Sequence, residues 1–107
     1  MNKLNLHNYR NSGSKIFSGR DNGIEARKKL NLDKLDKSPG QITISIPKDT
    51  WSINSSFFGG LFESSVITLR EKGFKEKYIF KFDDGTPLSK ELEENILEGI
   101  HDSLNEI

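Results

Sequence analysis

The residues best suited to carry out chemistry lie in the middle of the chain, where Asn54-Ser55-Ser56 precedes an apolar run that contains two glycines. Asn and Ser side chains accept hydrogen bonds from the free N–H groups of a first helical turn, so the segment predicts a capped helix start. The positive end of a helix also favours an anion. A phosphoryl group on Ser55 or Ser56 would be tolerated there while adding about two negative charges. Both serines are candidate phosphoacceptors, although capping alone is the simpler interpretation.

Gly59 and Gly60 fall within the first two turns of this predicted helix. Two such glycines cost about 1 kcal/mol each relative to Ala, and capping does not explain them. Close approach of another backbone or of a partner would account for both, and packing on the domain's own sheet is the favoured interpretation. Trp51 and Phe57-Phe58 suggest an apolar patch for a partner. Core burial explains the two Phe residues equally well, and Trp51 less well.

Gly19-Arg20-Asp21-Asn22-Gly23 is a second candidate, because Gly lets backbone N–H groups converge on an anion and Arg supplies charge. It matches neither a P-loop nor a dinucleotide-binding fingerprint. A turn and helix start, with Arg20 paired to an acid of the C-terminal helix, is the favoured interpretation. The residues predicted to face a partner or ligand are Arg20, Asp21, Trp51, Asn54, Phe57, Gly59 and Gly60.

Residues that would support catalysis or metal binding are scarce. The chain has no Cys, and its two His residues, His7 and His101, lie far apart. It contains no GxSxG nucleophile motif, and Asp83-Asp84-Gly85 after a strand is a common turn. We expect a non-enzymatic protein that needs no cofactor and no metal.

Charge is distributed unevenly along a chain whose formal net charge is zero. Residues 1–37 carry nine basic and four acidic residues, whereas residues 83–107 carry one Lys and eight acids. We expect the basic segment Arg27-Lys28-Lys29 to lie beside the acidic last helix. The balance excludes a strongly basic nucleic-acid binder. Short apolar stretches and the polar N-terminus predict no membrane segment or secretory signal, and a cytoplasmic location.

The elements that must position these residues fit one domain over residues 1–107, with a basic region at 1–37 and a core at 38–107. Alternating apolar residues predict strands at 42–46 and 77–82. A helix is predicted between them, from residue 56 or 57 to Lys72, with Gly73 as its C-terminal cap. Its apolar stripe consists of Phe58, Phe62, Val66 and Leu69. This order implies a parallel crossover.

A four-residue repeat predicts the last helix, with an apolar stripe of Leu88, Leu92, Ile96, Ile100 and Leu104. Thr86-Pro87 is the expected cap and first residue, and Ser89 is the alternative cap. Before residue 40 we expect an edge strand at residues 4–6, a turn at 11–14, a short strand at 15–17 and a helix over about 22–30 with Ile24 inward. Strands with one buried face indicate a two-layer α/β sandwich, with a small mixed or parallel sheet and helices on one face.

The stretch ITISIP followed by NSSFFGGLFESSVITLREKGF resembles the STAS-like family of unknown function, a group of small bacterial α/β domains. The upstream stretch FSGRDNGIEARKKLNLDKLD resembles that family's Gly-Arg-x-x-Gly signature and the helix after it. Together they cover roughly residues 13–82. The resemblance implies the STAS fold of anti-sigma factor antagonists.

In those antagonists an Asp-Ser-Ser-Gly segment opens a helix after a strand, and a kinase of the histidine-kinase ATPase type phosphorylates one serine. Here Asn54 takes the Asp position, Ser55 and Ser56 the serine positions, and Phe57 replaces Gly. Asn supplies no carboxylate, and a Phe beside the serines would restrict a kinase. The resemblance implies a regulatory protein–protein interaction module with an ATPase or kinase partner.

Two other functions compete with this interpretation. A small-molecule or nucleotide binder would use the Gly-Arg loop and the helix N-terminus as an anion site. Nucleic-acid binding ranks last, because no aromatic residues are interleaved with the basic ones, Lys15, Arg20, Arg27, Lys28 and Lys29. The oligomeric state stays open.

Overall fold

Five strands, four α-helices and one short 3-10 helix (His7–Tyr9) make up the computed structural model, which describes residues 2–10 and 13–105. Asn11 and Ser12 of the predicted turn lie outside the described residues. In chain order the elements are β1 (Asn2–Asn5), β2 (Ile16–Phe17), α1 (Arg20–Leu30), α2 (Leu32–Leu35), β3 (Ile42–Ile46), β4 (Ser52–Ile53), α3 (Ser55–Lys77), β5 (Tyr78–Phe82) and α4 (Lys90–Asn105).

The main sheet is parallel, with β3 between β1 and β5. Ile44 is in register with Leu4 on one side and Phe80 on the other. Both predicted core strands are confirmed, and β5 begins at Tyr78. The predicted edge strand is also present, but it spans Asn2–Asn5 rather than residues 4–6. A second, two-stranded parallel sheet pairs β2 with β4. The predicted short strand at 15–17 is thus confirmed, and it lies beside the segment that leads into α3.

The core lies on one face of the main sheet, where the three isoleucines of β3 are fully buried. Phe62 of α3 contacts Phe74 and Tyr78, with ring centroids 5.1 and 5.3 Å apart. The register places the alternate residues of the strands on the opposite face: Lys3, Asn5, Thr43, Ser45, Ile79 and Lys81. The predicted two-layer α/β sandwich is confirmed.

Helix α3 runs further than predicted, to Lys77, and is broken at Arg70, whose φ is 63°. The prediction that Gly73 ends the helix is wrong. Phe74 is fully buried against the aromatic core, so packing carries the chain through a second helical stretch beyond the break. Phe58, Phe62 and Val66 are buried as predicted.

Helix α4 begins at Lys90, and Ser89 caps it, because the Ser89 Oγ accepts the Leu92 N–H at 3.2 Å. The prediction that Thr86-Pro87 begins the helix is wrong. Thr86 donates its N–H to Asp84 Oδ1 in the predicted turn, at 2.9 Å, and Pro87 bridges to Lys81. The predicted apolar stripe is confirmed, since every member is buried or partly buried, although Leu88 lies just before α4.

Helices α1 and α3 cross where each has a glycine, and the missing side chains let the two backbones come close together. A Cβ on Gly23 would lie 2.2 Å from the Phe57 carbonyl oxygen, and one on Gly60 would lie 2.2 Å from the Arg20 carbonyl oxygen. The close approach that explains Gly60 is therefore to α1, and the expected packing on the sheet is wrong. Ile24 is exposed rather than inward, because Gly23 and Ala26 form the buried face of α1.

The first and last helices do not dock on each other as expected, because α1 packs on α3 and α3 packs on α4. Arg27 instead ties α1 to a buried polar cluster. Its Nη2 donates to Asp36 Oδ2 at 2.8 Å and its Nη1 donates to Ser65 Oγ at 2.8 Å. The Tyr78 hydroxyl also donates to Asp36. This cluster joins α1, α3 and β5 with the segment after α2.

The Tyr78 hydroxyl makes stability fall at alkaline pH. Burial, reinforced by its hydrogen bond to Asp36, raises the pKa of Tyr78 well above its ordinary value. A folded-state pKa above the unfolded one contributes stability that is present below about pH 10 and is lost as pH rises further. Between pH 9 and about 11 we expect the free energy of unfolding to fall less for Tyr78→Phe than for the unmodified protein. Urea unfolding across that range measures this, and an identical fall in both proteins would contradict it.

Candidate functional site

The start of α3 is capped as the sequence predicts. Asn54 Oδ1 accepts the Ser56 N–H at 2.9 Å and the Ser56 Oγ–H at 2.7 Å. The Ser55 side chain is exposed and Ser56 is half-buried. No acidic residue occupies the first turn of α3, so its positive end lacks a compensating carboxylate in that turn.

A depression of about 260 Å³ brings both serines together with Arg20. Its walls come from three helices, and the lining residues are Arg20, Ser55, Ser56, Gly59, Glu63, Gly99, Asp102, Ser103 and Asn105. Residues that are 35 positions apart in the sequence therefore share one surface feature.

Arg20 pairs with Glu63 of α3, Nη2 to Oε1 at 3.1 Å. The expected partner, an acid of the C-terminal helix, is wrong, because α3 stands between α1 and α4. The guanidinium covers Gly59, where a Cβ would lie 2.9 Å from Arg20 Nη1. Gly59 thus makes room for Arg20 beside the serines.

The Gly19–Gly23 segment is the start of α1 rather than an anion-binding loop, as the favoured interpretation held. Gly19 precedes the helix with a φ of 92°, and Asn22 Nδ2 donates to the Ser18 carbonyl oxygen at 2.9 Å. Asp21 is exposed in the first turn of α1 but does not line the depression.

Two residues predicted to face a partner do not do so. Phe57 is fully buried, with its ring centroid 5.0 Å from that of Phe17, and Gly60 is covered by α1. Trp51, by contrast, is 64% exposed, and Lys15 Nζ lies 5.2 Å from its ring centroid. Neighbouring Ile16 is exposed as well, so an apolar patch does precede α3.

Asn95 of α4 holds the segment that precedes the serines, a role that the sequence does not indicate. Its Oδ1 accepts the Ile53 N–H at 2.8 Å. We expect Asn95→Ala to lower the free energy of unfolding by about 1–2 kcal/mol, because a partly buried N–H loses its acceptor. Urea unfolding and amide exchange at Ile53 measure this. Asn95→Asp keeps the acceptor and is the control; equal loss in both variants would contradict the role.

Glu63 is the main site residue that the sequence interpretation missed. Ser55, Gly59 and Glu63 are spaced by four residues, so helical periodicity places them on one face. The contribution of α4 to the depression, by contrast, has no local signal.

Three of the basic residues in the N-terminal third that nucleic-acid binding would use have acidic partners within the protein. Arg20 pairs with Glu63, Arg27 with Asp33 and Asp36, and Lys29 with Glu25. This internal pairing disfavours the nucleic-acid alternative.

Within residues 2–10 and 13–105, no three metal-binding side chains come together, and no helix is both long and apolar enough to cross a membrane. Comparison with protein-family models, curated proteins and solved structures finds no match to the chain.

Proposed function

We propose that the chain is a non-enzymatic regulatory module that binds a protein partner through Trp51, the start of α3 and Arg20. Phosphorylation of Ser55 or Ser56 changes that binding. The observation that carries the proposal is the shared depression, which sets two serine hydroxyls and one guanidinium at the positive end of a helix. A partner that contacts this surface would meet both the hydroxyls and the cation.

Ser55 is the better phosphoacceptor of the two. Its side chain is exposed, whereas the Ser56 hydroxyl donates to Asn54. In the transfer, Ser55 Oγ forms a bond to the γ-phosphorus of ATP, the bond from that phosphorus to the β–γ bridging oxygen breaks, and ADP leaves. The hydroxyl proton passes to a base of the kinase. The product adds about two negative charges at a helix end that favours them.

The resemblance to STAS-like domains supports an ATPase of the histidine-kinase type as the partner. One departure from the antagonist motif is less severe than the sequence indicates. Phe57 points into the core, so its ring does not restrict access to the serines. Asn54 still supplies no carboxylate, and it acts as the helix cap.

To test the proposal, the protein is incubated with ATP and a histidine-kinase-type ATPase encoded by an adjacent gene, and its intact mass is measured. We expect a gain of one phosphoryl group, lost in the double variant Ser55→Ala/Ser56→Ala. Ser64→Ala, further along α3, is the matched control and should still be modified. No mass gain, together with unchanged binding of Ser55→Asp and Ser56→Asp, would overturn the proposal.

An anion-binding domain is the second candidate, favoured by Arg20 beside a helix whose first turn carries no acid. Glu63 and Asp102 also line the depression and oppose an anion there. The anion-binding loop expected at residues 19–23 does not support this candidate, because these residues form the start of α1. Thermal shifts with a panel of nucleotides distinguish it. Stabilisation that disappears in Arg20→Ala would favour this candidate over the regulatory module.

A further inference from the structure

The Arg20 side chain of α1 lies against one face of α3, between a serine and a glutamate of that helix. Ser55, Gly59 and Glu63 project from one helix face at successive turns. The guanidinium covers Gly59, so it has a serine about one turn to one side and a carboxylate about one turn to the other. Because Gly59 has no side chain, nothing on that turn of α3 separates the two positions.

The present partner holds Arg20 weakly. The pair with Glu63 is a single 3.1 Å contact, and the side chains are 52% and 24% exposed. Exposed ion pairs of this kind contribute little to stability. The Arg20 backbone is fixed by the crossing with Gly60, so its side chain can change partner while α1 stays in place.

We propose that Arg20 is a switch residue: when Ser55 is phosphorylated, its guanidinium leaves Glu63 and binds the phosphate. This inference rests on the proposed function, because it takes Ser55 as the modified residue. A phosphate carries about twice the charge of a carboxylate and offers three acceptor oxygens that suit the planar guanidinium fork. The positive end of α3 adds to its attraction, whereas Glu63 lies two turns further along the helix.

The exchange alters the surface beyond the serines. Arg20, Gly59 and Glu63 also line a second depression of about 330 Å³ between α1 and α3, which extends to Lys28 and Ser64. Movement of Arg20 removes part of the wall between the two depressions and leaves the Glu63 carboxylate unpaired. A partner would meet a bound phosphate at one end and a free carboxylate at the other.

Genetic incorporation of phosphoserine at position 55 tests the switch without any kinase. Titration followed by phosphorus NMR measures the second pKa of the phosphate, ordinarily about 6. We expect Arg20→Ala to raise this pKa by at least about 0.5 unit, because a nearby cation favours the dianion. Lys28→Ala is the matched control on α1 and should leave it unchanged. An identical pKa with and without Arg20 would overturn the switch.

The Arg20 side chain reports the exchange directly through its Nε–Hε resonance. Glu63→Gln should shift that resonance in the unmodified protein and leave it unchanged in the phosphoserine-55 protein, where the pair is already broken. An equal shift in both proteins would also overturn the switch. Failure here leaves the kinase experiment unaffected, because modification of Ser55 is measured there by mass alone.

Discussion

Gly60→Ala is expected to lower the free energy of unfolding by about 3 kcal/mol, because its Cβ would lie 2.2 Å from the Arg20 carbonyl oxygen. That oxygen belongs to the α1 backbone and cannot rotate away as a side chain would. The Ile24 backbone nitrogen is also within 2.9 Å. The gain in helix propensity, about 1 kcal/mol, is too small to offset displacement of a helix.

Urea unfolding of Gly60→Ala and Gly73→Ala provides the comparison. Gly73 lies in the same element, and its nearest neighbour would be Leu69 Cβ at an ordinary 3.4 Å. That control should be neutral or slightly stabilising. Gly23→Ala should resemble Gly60→Ala, since its Cβ would meet the Phe57 carbonyl oxygen. Equal stability of Gly60→Ala and Gly73→Ala would contradict so close a crossing of α1 and α3.

Asp36→Ala is expected to cost about 3–5 kcal/mol, the range for removing one partner of a buried ion pair. The Asp36 side chain is only 6% exposed, and its carboxylate accepts from Arg27, Ser65 and Tyr78. Burial opposes the charge of Arg27, but the hydrogen bonds to Asp36 and Asp33 outweigh it and raise the pKa of Arg27. Without Asp36 that buried charge loses its main partner.

Asp33→Ala is the matched control, because Asp33 binds the same guanidinium at 2.7 Å but is 84% exposed. Water can replace so exposed a carboxylate, and the expected cost is below about 1 kcal/mol. Urea unfolding measures both variants. Equal costs would show that the burial of Asp36 does not govern the stability of the cluster.

Much of the fold follows from local pattern. The isoleucines of β3 and the apolar stripe of α4 form the buried faces of these elements, so the spacing of apolar residues alone predicts both elements. The start of α3 is equally local, since Asn54 and Ser56 bond to each other. The break at Arg70 is different: burial of Phe74 carries the helix past it, and that packing has no signal in the neighbouring residues.

The sequence predicts individual residues of the site but not that they come together. Residue chemistry alone indicates Arg20 and the two serines, whereas their shared depression depends on the Gly23–Gly60 crossing. A glycine pair carries no side-chain pattern that identifies its neighbour. The sequence leaves Phe57 open between a partner surface and the core for a related reason, because Phe17, on the other side of α1 in the sequence, covers it.

The affinity of a purified histidine-kinase-type ATPase, encoded by a gene adjacent to that of this protein, for four forms of the protein tests the central proposal most directly. We expect the unmodified protein to bind, Trp51→Ala to bind more weakly, and phosphoserine at position 55 to change the dissociation constant by at least about tenfold, or 1.4 kcal/mol. Lys34→Ala, an exposed position that lines neither depression, should bind like the unmodified protein. Equal dissociation constants for all forms, or no binding by any of them, would contradict a regulatory surface at the start of α3.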